Sequence, residues 1–112
     1  MNIWSVVFAK LNLPEKEKKK VDSFLENQTK TSLLTAAQIL RRYHRVNESL
    51  ELLSYGILSY PNYIALRIEL ARGLYEKGLI EDAWDHLQLI DFNEQDYLLA
   101  KEIYFFCSIL LE

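Results

Sequence analysis

Residues 33–53 are echoed 34 positions later in the chain. Leu33, Ala36, Ala37, Leu40, Ser49 and Leu53 fall in register with Arg67, Leu70, Ala71, Leu74, Ala83 and Leu87. A fixed displacement of this size marks a repeated supersecondary unit, long enough for two helices and too short for a domain. The residue types fit that geometry. Small residues (Ala37, Ala71, Ala83, Ala100, Gly56) let two helix backbones approach closely, and Leu40, Leu53, Leu74 and Leu87 fill the space between successive pairs. Gly78 permits a tight reversal within a pair. A bundle with an accidental echo is the competing reading, and several matches at one offset weigh against it.

The periodicity agrees. Leu33, Ala36, Ala37 and Leu40 recur at helical spacing, as do Leu50, Leu53 and Leu58 after a polar break at residues 44–47. Asn62 is the expected N-cap of a helix over about 63–77, and Gly78 its expected stop. A second helix follows over about 80–90, and Asn93 caps a last one, with Asp96 favouring its positive end. Upstream, Ile3, Trp4, Val6, Val7, Phe8 and Leu11 form a short apolar stretch. Pro14 then restarts the chain as a charged helix, with Val21, Phe24 and Leu25 on one face. With three glycines and two prolines in 112 residues, too few turns exist for a sheet protein. The expected fold is all-α: residues 1–29 an apolar segment plus charged helix, and 30–112 stacked antiparallel hairpins, about five to six helices in total.

The segment LARGLYEKGLIEDAWDHL, residues 70–87, resembles the heart of a tetratricopeptide repeat. Residues 30–63 carry the pattern as Leu33, Ala36-Ala37, Leu40, Ser49, Leu53 and Pro61. Residues 64–92 carry it as Leu70-Ala71, Leu74, Gly78, Ala83 and Leu87, departing at Arg67 and lacking the closing proline. Shortening the next turn by five residues places Leu99, Ala100 and Ile103 on the first-helix positions of a third unit (93–112), whose partner helix is not expected within the chain.

The resemblance implies a short right-handed superhelix whose first helices line a concave groove. By repeat position the implied groove residues are Leu34, Gln38, Arg41 and Arg42, then Ile68, Arg72, Tyr75 and Glu76, then Tyr97, Lys101, Tyr104 and Phe105. Arginine and tyrosine, common at binding hot spots, dominate this set, which points to an acidic or aromatic-bearing protein segment as ligand. The carboxylate clamp of chaperone-tail-binding repeats is absent, since Leu34 and Gln38 occupy its first-repeat positions. The implied role is a protein-interaction adaptor. Alternatives are a small chaperone of a secreted or polymerising subunit, by analogy of size with type III secretion needle-subunit chaperones, and a structural homo-oligomerisation unit.

Charge narrows the partners. Residues 1–63 carry nine Lys/Arg against six Asp/Glu, and residues 64–112 carry four against ten. The acidic second half argues against nucleic acid, while the asymmetry fits head-to-tail self-contact, a polar protein partner or simply solvated helix faces. The last helix is apolar through Tyr104, Phe105, Phe106, Ile109, Leu110 and Leu111. Something is expected to cover it: residues 3–11, a second copy in a homodimer, or another protein.

Catalysis, cofactors and metals are not expected. His44 and His86 stand far apart in the chain with no ligand-spaced neighbours, and no phosphate-loop or nucleophile-elbow pattern exists. Cys107, the single cysteine, sits in an apolar run and suits a buried thiol. The N-terminal apolar run is too short to span a bilayer, and a cytoplasmic location is expected.

Overall fold

The structure is a computed structural model that describes residues 3–90 and 98–111. Seven α-helices make up the described part: α1 (Ile3–Ala9), α2 (Glu15–Glu26), α3 (Lys30–Arg42), α4 (Val46–Ser59), α5 (Ile64–Glu76), α6 (Ile80–Leu87) and α7 (Leu98–Leu110). The protein is all-α, with no strand among the described residues. The five or six helices expected become seven because residues 3–9 form a helix of their own. A segment over 10–14, ending in Pro14 with extended backbone, separates it from α2.

The displacement found in the sequence reappears in the backbone. Shifted by it, α3 coincides with α5 at both ends, and α4 coincides with α6 at its start. The turns match bond for bond. Arg45 N–H donates to Leu40 O at 2.8 Å, and Leu79 N–H to Leu74 O at 2.9 Å; Ser49 N–H reaches Arg45 O as Ala83 N–H reaches Leu79 O. Each turn holds one left-handed residue, His44 (φ 63°) and then Gly78 (φ 88°), at equivalent positions. These hydrogen bonds satisfy carbonyls that the helix end would otherwise leave bare.

Eleven of the twelve echoed positions are buried, and Arg67 is the exception. Leu40, Leu53 and Leu87 are fully enclosed, each stabilising the fold by about 1.5–3 kcal/mol. Gly56 of α4 shows why some positions stay small: a Cβ there would lie 2.6 Å from a Leu33 methyl and 3.2 Å from one of Leu66. At 73, a Cβ would meet Leu50 at 2.8 Å. α4 is thereby seated closely against both α3 and α5. From residue 100 onward, α7 buries Ala100, Ile103 and Cys107, spaced for one helical face.

Each helix packs on its chain neighbours, and α5 also touches α3 and α7. Among the described residues the backbones of α2, α4 and α6 stay apart from one another, and the backbone of α1 approaches that of α2. The result is an open array of 44 × 26 × 23 Å, its two ends apart. Side chains tie successive turns along the edges. Tyr60 Oη donates to Gln28 O at 3.1 Å, Lys30 Nζ lies 5.0 Å from the Tyr63 ring centre, and Lys77 Nζ donates to Asn47 Oδ1.

Three local expectations are corrected. Asn62 does not cap α5: Pro61 and Asn62 form the turn, and Tyr63 is the capping residue with no side-chain bond. Leu58 points to solvent, 84% exposed, because it lies on the outer side of the last turn of α4. α6 ends at Leu87 rather than 90, although Ile90 is still buried. The expected cap Asn93, with Asp96, lies outside the described residues.

Candidate protein-binding face

Helices α3, α5 and α7 form a contiguous row. Apart from Tyr97, the sequence-derived residues fall on these three helices, and their surroundings differ. Leu34 and Gln38 are partly exposed on α3. Ile68, at the position equivalent to Leu34, is buried at 9% exposure and supports the row more than it presents a surface. Arg72 and Tyr75 are partly exposed on α5, while Lys101 and Phe105 are exposed on α7. Tyr97 lies outside the described residues. Tyr104 leans on α6, its ring 4.6 Å from that of Trp84, so one of its faces is occupied.

The arginines are engaged within the fold. Arg41 Nε donates to Glu69 Oε1 at 2.8 Å across α3 and α5. Glu69 is only 5% exposed, and a buried carboxylate is tolerable because a cation meets it. Arg42 Nη2 lies 3.3 Å from Glu17, and Arg72 Nε lies 3.2 Å from Glu76 one turn on. Glu17 also accepts a 2.7 Å hydrogen bond from Tyr43 Oη, which raises the phenol pKa above its ordinary value. The end of α3 is therefore anchored to α2 and to α5. Sequence reasoning missed Glu69 and Glu17. The signal for the first was present: a lone carboxylate between Ile68 and Leu70, in a stretch whose other charges, Arg67 and Arg72, are both positive.

On the opposite side of α5, Arg67 Nη1 lies 2.9 Å from His86 Nδ1. Arginine stays protonated, so the histidine accepts, which requires a neutral ring. Burial first, and the Arg67 charge second, push the His86 pKa below its usual value. A crevice of about 300 Å³ adjoins it between α4, α5 and α6, with a Leu50, Leu70 and Leu74 floor. Another, of about 440 Å³, opens between α1 and α2. Among the described residues no cluster of His, Cys, Asp or Glu is arranged to hold a metal. Burial raises the Cys107 thiol pKa, keeping it protonated and unreactive. No helix in the described residues is long and apolar enough to cross a membrane.

Together these features define a class: an all-α protein of stacked helix pairs with a row of first helices on one side. The chain matches no family model, no curated protein and no solved structure.

Proposed function

We propose that the chain is a tetratricopeptide-like interaction module that holds a segment of another protein along the α3–α5–α7 row. The observation that carries this reading is the recurrence, at one fixed displacement, of helix ends, left-handed turn residues and turn hydrogen bonds. Pairs related in this way stack with their first helices side by side, and a right-handed superhelix leaves those helices on its concave wall. Gln38, Arg72 and Lys101 occupy one equivalent position on successive first helices and form a polar strip. Leu34, Tyr75 and Phe105 add apolar surface beside it.

The internal ion pairs shift the expected ligand. With Arg41, Arg42 and Arg72 each beside a carboxylate of the same chain, the row has little net positive charge for an acidic peptide. A segment presenting aromatic or aliphatic side chains suits the tyrosine and leucine surface better. Reversing the charge of Arg41 is a poor test, because it would set two carboxylates together at buried Glu69.

Site-specific photo-crosslinking in cells is the cleaner experiment. A crosslinker placed in turn at Gln38, Arg72 and Lys101 should capture the same protein. Controls at Glu51 and Asp85, exposed on α4 and α6, should not capture it. Capture from the controls as readily as from the row, or from neither, would reject the proposal.

A further inference from the structure

The two ends of the array are complementary to each other. At one end, α1 packs on α2, with Phe8 set edge-on to Phe24 at 6.2 Å. The crevice of about 440 Å³ between these helices is lined by Leu11, Val21 and Leu25 together with polar Asn12, Lys18 and Asp22. At the other end, α7 turns Ala100, Ile103 and Cys107 inward. Its opposite side carries Phe105 (59% exposed), Phe106 (48%) and Ile109 (48%). Helical spacing puts Glu102 on that same side, one turn before Phe105 and Phe106. One end thus has projecting aromatic rings beside a carboxylate, and the other a recess that sets apolar side chains beside Lys18 and Asp22.

Charge reinforces the match. Residues 3–26 hold five lysines against Glu15, Glu17, Asp22 and Glu26, a small positive excess, whereas α6 and α7 hold Glu81, Asp82, Asp85 and Glu102 against Lys101. A symmetric contact would bring like ends, and like charges, together. A head-to-tail contact brings unlike ones together, and end-on stacking is how a helix array buries the face its last helix leaves open.

We propose that copies of this chain associate head to tail, the α7 aromatic face of one copy seated in the α1–α2 crevice of the next, with Glu102 paired to Lys18. Such a contact is heterologous, so each copy keeps one free head and one free tail, and assembly proceeds beyond the dimer. This differs from ligand capture along the row: the two surfaces share only Phe105, and the crosslinking positions Gln38, Arg72 and Lys101 take no part in the end-to-end contact.

Sedimentation of the full chain over a concentration series tests the proposal with two variants. Phe105→Glu with Phe106→Glu disables the tail; Asn12→Trp with Lys18→Glu blocks the head. The unmodified chain should grow past dimer with concentration, and less so at high salt. Each variant alone should be monomeric, with unchanged helical circular dichroism, and an equimolar mixture should give a one-to-one dimer. In a second series, Lys18→Glu or Glu102→Lys alone should weaken association about tenfold, and both in one chain should restore it. A chain that stays monomeric overturns the idea. So does a dimer lost with the tail variant yet kept with the head variant, the signature of a symmetric α7 contact. A mixture that stays monomeric does the same.

Discussion

The two complete helix pairs, α3–α4 and α5–α6, share one backbone plan and carry it out with different chemistry. The first uses Leu33 where the second uses Arg67, His44 where the second uses Gly78, and Ser49 where the second uses Ala83. It also begins on a stronger cap. Thr29 accepts from Ser32 N–H at 3.1 Å while its own N–H donates to Ser32 Oγ at 2.9 Å, whereas Tyr63 offers no side-chain bond. Ser49 adds a buried hydroxyl that donates to Ala37 O at 2.7 Å. The geometry thus tolerates polar exchange even at a buried site such as Ser49, where the hydroxyl finds a backbone acceptor. Only the positions between helix pairs are held to one shape.

The sharpest way to break that equivalence lies at the centre. Leu53 and Leu87 are counterparts in the two pairs, each at 1% exposure or less. Truncating either to alanine should cost about 2–5 kcal/mol, the usual range for a leucine cavity. Urea unfolding measures both. Leu53 lies in a pair flanked by α2 and α5, and Leu87 in a pair that meets α4 and α7. If the pairs unfold as one unit, the two costs should be similar. A Leu87→Ala variant that loses α6 and α7 first, with a shallower transition, would show that the pairs melt separately.

A smaller effect separates the turns. His44 and Gly78 hold the same left-handed conformation, and a side chain there strains the backbone by roughly 1 kcal/mol. His44→Gly should therefore stabilise the chain by a few tenths to about 1 kcal/mol, the greater flexibility of glycine when unfolded offsetting part of the gain. Gly78→Ala should destabilise it by about 1 kcal/mol, although no atom lies within 4 Å of the added Cβ. The loss would be conformational rather than steric. Shifts of the urea midpoint in opposite directions for the two variants would fit; a neutral Gly78→Ala would not.

This pair of turns also shows what the sequence discloses. Gly78 announces its turn, because glycine is the usual residue at a left-handed helix end. His44 gives no such sign, and only its place one repeat earlier links it to the same conformation. The all-helical character is readable because Leu, Ala and Ile recur at a helical period. The short α1 is not legible as a separate helix, since a brief apolar run before a proline carries no period of its own. Asn62 misleads because Pro61 and Asn62 resemble a cap signal while serving as the turn itself. That Leu34, Gln38, Arg72 and Lys101 sit on α3, α5 and α7 is legible from the repeat, and the partners of the arginines are not. Which arginines carry a partner depends on Glu69, a full helix pair beyond Arg41, and on Glu17, a helix before Arg42. No local pattern encodes such distances.

The difference between Leu33 and Arg67 makes the last and smallest test. Arg67 occurs where the first pair has an apolar residue, and it faces His86 rather than solvent alone. The folded-state pKa of His86 is depressed, by burial first and by the Arg67 charge second, with Asp82 and Asp85 opposing weakly. Above about pH 7.5, a full unit over the unfolded value, the ring is neutral in folded and unfolded chains alike, and it adds no pH dependence. As pH falls through that value the unfolded chain takes up the proton first, so stability declines until the folded ring is protonated too. His86→Gln removes this titration and leaves exposed His44 in place. The stability of the native chain relative to this variant should therefore fall between about pH 7.5 and 5.5, read from paired urea midpoints. A relative stability that rises as the solution is acidified would mean that Asp82 and Asp85, not Arg67, govern the histidine. The second pair would then admit a cation at a position its counterpart reserves for leucine only because α6 already supplies the counter-charge.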